Sequence, residues 1–120
     1  MTRLIFVFLV ATIVTSNLLA DEILKRPGEL KAQVDVMKTE VPTRFECMMK
    51  EIKANHPNDK STQLYVLKKQ VSAYWDIREA DYPKEILYAA LTDHPCDFST
   101  ANYVVKKQIK AESELSNLLN

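Results

Sequence analysis

Apolar positions recur at helical spacing through almost all of the chain beyond its first 20 residues. Leu30, Val34, Met37 and Val41 lie four, three and four residues apart, and Phe45, Met48, Met49 and Ile52 continue nearly the same register past Pro42. Farther on, Leu64, Leu67, Val71 and Tyr74 follow at three, four and three. Ala101, Val105 and Ile109 form a last stripe, with Val104, Ala111, Leu115 and Leu118 beside it. Steps of three and four place residues on one face of an α-helix. Nothing in this part of the chain alternates apolar with polar as a half-buried strand does. The pattern therefore predicts an all-α fold, a small bundle of four to five helices.

Pro42 decides between the two counts. It can open a new helix at the first position, where its missing N–H is harmless, or kink one long helix running from about residue 28 to 54. The unbroken register favours the kink, and with it four helices. The later helices are expected at about Ser61 to Ala80, Tyr82 to Thr92 and Ser99 to Leu119.

A twice-occurring sequence punctuates these helices. Residues 56–75 read HPNDKSTQLYVLKKQVSAYW and residues 94–113 read HPCDFSTANYVVKKQIKAES, 38 residues apart with 11 of 20 positions identical. Proline disfavours the α conformation of the residue before it, so His56-Pro57 and His94-Pro95 read as helix stops. Asp59 and Asp97, or Ser61 and Ser99, can then cap the next helix by accepting from its orphan backbone N–H groups. A helical-hairpin repeat of about 38 residues follows, as two hairpins and a final half unit. Solenoid arrays need about three units to bury a continuous core, so a short chain is expected to close into a bundle instead.

The first 20 residues read differently. Arg3 precedes an apolar run from Leu4 to Val14, followed by small and polar residues, the pattern of a secretory signal peptide over residues 1–20. Cleavage is expected after Ala20, with Ser16 the other option, leaving residues 21–120 as a single helical domain. The run is too short for a membrane span, which takes about 20 apolar residues. Lys plus Arg and Asp plus Glu are 16 each, and loss of Arg3 would leave a net charge near −1. Lys68-Lys69 and Lys106-Lys107 are pairs among scattered acids rather than a basic footprint, so no nucleic-acid partner is expected. In an oxidising compartment the two cysteines, Cys47 and Cys96, are expected to pair. One lies inside the second helical stretch and the other just past the fourth, which simple side-by-side helices would hold apart.

Few residues carry a chemical signature. His56, Asp59, His94 and Asp97 could converge on a metal if the two turns lay together, yet each already serves as a stop or cap and the short histidine spacings of zinc motifs are missing. Ser61 and Ser99 have no nucleophile elbow or orienting base. Gly28, the sole glycine, cannot build a phosphate cradle. No catalytic residue, metal or cofactor is expected, and the chain reads as non-enzymatic. Met37, Met48, Met49, Tyr74 and Tyr88 could line a cavity for a small hydrophobic ligand or lipid. Tyr65 and Tyr103, at matched positions of the repeat, and Trp75 could instead face a partner, because one of the adjacent pair Tyr74 and Trp75 should point outward. The leading expectation is a secreted helical protein that binds another protein outside the cell; the alternative is an extracellular carrier of a small hydrophobic ligand.

Overall fold

Two histidine-proline stops with their aspartate caps, Pro42, and a left-handed Asp81 before Pro83 cut the described chain, residues 25–120, into five helices in the computed structural model. They are α1 (Leu30–Glu40), α2 (Pro42–Asn55), α3 (Lys60–Ala80), α4 (Lys84–Asp93) and α5 (Phe98–Leu119), with no strand among the described residues. The expected leader lies outside the described residues. No described helix is long and apolar enough to cross a membrane.

Pro42 starts α2 instead of kinking one long arm, so the helices number five, not four. Val41, placed before proline, leaves the helical region at φ −132° and ψ 59°, and Pro42 takes the first helical position. The break occupies a single residue. Val41 still donates its N–H to Met37 O at 2.9 Å and accepts from Phe45 N at 2.8 Å, which is why the apolar register runs on as if unbroken.

The boundaries before α3 and before α5 are built alike. His56 and His94 close their helices by donating N–H to Ile52 O and Ala90 O, at 3.1 and 2.9 Å. Asp59 and Asp97, not the serines, then cap α3 and α5. Their carboxylates accept from the backbone N–H of Thr62 at 2.9 Å and of Thr100 at 3.0 Å, and each threonine hydroxyl donates to the other carboxylate oxygen.

Helix α3 is the hub: α1, α2 and α5 all pack on it, while α4 rests on α5. Trp75, Met37, Met48 and Val71 are fully buried around it, and Val105 is fully buried between α4 and α5. Because α3 is covered on several sides, residues 100° apart on its surface can both be interior. Tyr74 and Trp75 accordingly both point inward, which corrects the expectation that one of them faces solvent. Tyr74 meets Trp75 and Phe98 edge-on, with centroids 5.8 and 5.4 Å apart. Its hydroxyl donates to Glu40, which also pairs with Arg78, tying the end of α1 to α3. Burial, reinforced by that carboxylate, raises the Tyr74 phenol well above its ordinary value, so it remains a neutral donor.

Cys47 and Cys96 are disulfide-bonded, with Cα atoms 5.2 Å apart. The turn between α4 and α5 rests on α2, which brings the second cysteine to the first. Arg44, one turn before Cys47, fixes that docking by donating from Nη1 to Leu91 O at 3.0 Å and Pro95 O at 3.2 Å.

Candidate functional site

The caps determine which residues of α3 and α5 face outward. Tyr65 and Tyr103 each stand six residues beyond a capping aspartate, and each is 63% exposed. Each also carries a lysine one turn on. Lys69 Nζ lies 5.7 Å from the Tyr65 ring centroid and Lys107 Nζ lies 6.0 Å from that of Tyr103. An ammonium over a ring face is weakly attractive and limits the ring's freedom. The lysines were not singled out by sequence; the Tyr-x-x-x-Lys spacing present in both copies was the signal for them.

Trp75, the third aromatic expected to meet a partner, is 0% exposed and cannot touch one in this fold. The five residues expected to line one cavity are not brought together around one. Met37, Met48 and Tyr74 fill the core, Tyr88 is exposed on α4, and Met49 borders a larger open space. That space is a surface groove of about 650 Å³ between α1, α2 and α3. Val34, Phe45, Met49 and Leu67 form its apolar walls, and Lys38, Glu46, Lys50 and Lys53 complete its lining. The continuation of the α1 stripe into α2 was the sequence signal for its walls.

Histidine and aspartate do not assemble a ligand set. Among the described residues, the grouping of metal-ligand type is Cys47, Glu51 and Cys96. Both sulfurs are bonded to each other, which leaves one carboxylate.

No family model matches the chain, and no curated protein or solved structure matches it significantly.

The two caps differ in one respect that matters for stability. Asp97 also accepts from the buried amide of Gln70 at 2.8 Å, and Gln70 Oε1 in turn accepts from Ser99 N at 3.1 Å. Burial alone would raise the Asp97 carboxyl. Hydrogen bonds from the Thr100 side chain, Gln70 and the Thr100 backbone, with the charge of His94, outweigh it and hold the group below its ordinary value. Asp59 is also held low, chiefly by the Thr62 hydroxyl and backbone N–H.

Asp97→Ala should therefore destabilise by roughly 2–3 kcal/mol, about 1 from the lost cap and the rest from the stranded Gln70 amide. Asp59→Ala should lose less, since its cap strands no buried partner. Both folded-state values lie below the unfolded one, so each carboxylate stabilises above about pH 4 and loses its contribution as the pH falls through the folded value. Urea titrations at pH 7 and pH 3 test this. Wild type should lose more stability between the two than Asp97→Ala, and equal losses would count against the Asp97 assignment.

Proposed function

We propose that the chain is a secreted, non-enzymatic helical protein that acts outside the cell by binding another protein, through the outward faces of α3 and α5. The observation that carries this reading is the pair Tyr65 and Tyr103. Two large rings are left in water at the same exposure, each under a lysine one turn away, although the core buries Tyr74, Trp75 and Phe98. A tyrosine held in place loses little freedom on binding and offers both apolar area and a hydroxyl, which suits it as an anchor. Leu64, 48% exposed, adds apolar area next to Tyr65. In this reading the 38-residue repeat is a duplication that supplies the same contact element twice. Expression with a cleaved leader and an extracellular location belong to the same proposal.

A second reading draws on the groove walled by Val34, Phe45, Met49 and Leu67. Apolar walls lined also by three lysines against one glutamate, Glu46, fit a single-chain amphiphile with an anionic head, as a lipid carrier would bind. One experiment separates the two. The oxidised protein and its Tyr65→Ala/Tyr103→Ala variant are exposed to the extracellular fluid of the producing tissue, cross-linked and analysed, and both are titrated with a fluorescent fatty acid. The protein-binding reading expects one predominant cross-linked protein, reduced about tenfold or more in the double variant at unchanged melting temperature. Undiminished cross-linking by the variant overturns it. Saturable fatty-acid binding that Phe45→Ala abolishes and the tyrosine substitutions leave intact favours the carrier.

A further inference from the structure

The second half of α5 is bare. Every residue from Lys110 to Asn120 is exposed, including Leu115 at 55%, Leu118 at 82% and Leu119 at 80%. Val104, Gln108, Ala111, Leu115 and Leu118 fall four, three, four and three residues apart, a seam of the kind that pairs helices. The core face of α5, centred on Phe98 and Val105, lies roughly 100° around the helix axis from the seam, and Val104 at the seam's start also packs against α4. A half-helix this short is marginal alone in water and gains its stability from packing an apolar face.

The counterpart of this seam on α3 is covered. Gln70 and Ile77 of α3 are buried at 8% each, Gln70 against the start of α5. Thirty-eight residues on, Gln108 and Leu115 are both exposed. The position through which α3 receives the start of α5 is thus open on α5 itself.

Charge along the same stretch says what fits there. Lys106, Lys107 and Lys110 occupy its first half, Glu112 and Glu114 its second. The sign reverses near residue 111. Two such helices laid antiparallel, centred between residues 110 and 111, put Lys107 of each opposite Glu114 of the other. The same arrangement brings Leu118 of one copy next to Val104 of the other, where Ile86, Ala89 and Val104, with Glu85 and Asp93, line a groove between α4 and α5. A parallel pair would instead oppose Lys107 to Lys107 and Glu114 to Glu114.

We infer that the bare seam of α5 is the interface of a homodimer, with a second copy of this chain as its occupant, paired antiparallel about a two-fold axis near residue 111. The interface is isologous, so it closes at two copies and leaves no seam for a third. It does not depend on the partner-binding reading.

Sedimentation of the folded, disulfide-bonded chain over a concentration series tests the inference. Wild type should dimerise reversibly. Lys107→Glu places like charges opposite each other twice and should raise the dimer Kd about tenfold or more, while Lys107→Glu/Glu114→Lys should restore it to near the wild-type value, because only the paired geometry makes the two reversals compensate. Leu115→Ser/Leu118→Ser should be monomeric, with unchanged near-ultraviolet dichroism from the buried Trp75. A wild type that stays monomeric, including one that binds anionic vesicles through α5 as a monomer, overturns the proposal. So does a dimer in which the charge swap gives no rescue.

Discussion

Cys47→Ala/Cys96→Ala should lower the unfolding free energy by about 4 kcal/mol. The bond closes a loop spanning a sequence separation of 49, and loop-closure entropy in the unfolded chain sets that magnitude in the chain-entropy model. Set against the roughly 5–15 kcal/mol of a typical domain, it is a large share. For a domain of this size it corresponds to a fall in melting temperature of roughly 15–30 °C. The architecture points the same way. Helices α4 and α5 join the rest of the molecule through the contact of α5 with α3, through the Arg44 bonds and through this bridge. Urea unfolding with and without reductant is the check: wild type under reductant should fall to the level of the double variant, and a midpoint indifferent to reduction would sink the assignment.

Trp75→Ala should cost as much by another route. The indole is fully buried where α1 and α3 meet, donates Nε1–H to Gln33 O at 3.4 Å, meets Tyr74 edge-on and lies 5.0 Å beneath the Arg78 guanidinium. Deleting a side chain of this size from a core typically destabilises by about 3–5 kcal/mol, because neighbours relax only partly into the cavity. Trp75→Phe should recover much of the loss, since Gln33 O sits in the body of α1, where Met37 can supply its helical bond. Thermal melts followed at 222 nm compare the two, and a Trp75→Ala protein as stable as wild type would show that the indole is not the centre of the core.

The helices and their ends were legible because they are written locally. Proline after histidine, and aspartate three residues before threonine, act within a few bonds of the backbone they control, so the stops at His56 and His94 could be read directly. Pro42 was misjudged because periodicity reports which face a residue occupies, and a one-residue break at Val41 scarcely rotates that face. The disulfide could be counted from two cysteines but not placed. Its geometry depends on Arg44 holding the α4–α5 turn against α2, a contact between residues almost 50 positions apart.

The candidate site was legible in part for the same reason. Tyr65 and Tyr103 follow from their distance to a cap, and their common exposure is a property of the helix register. Trp75 does not. Whether an aromatic residue on α3 is covered depends on how many neighbours the helix has, and a pattern read along one helix cannot count the others around it. Tyr88 shows the converse, an aromatic residue left outside because α4 is covered on fewer sides than α3.

Gln70 gives the two caps different dynamics. The start of α3 is closed entirely by residues within one turn of it, so it can fray and reform with little reference to the rest of the chain. The start of α5 is different, because the Ser99 amide is held by a side chain rooted in α3. That amide can exchange its hydrogen with solvent only when the two helices part, so its protection should track the opening of the α3–α5 contact rather than the fraying of a helix end.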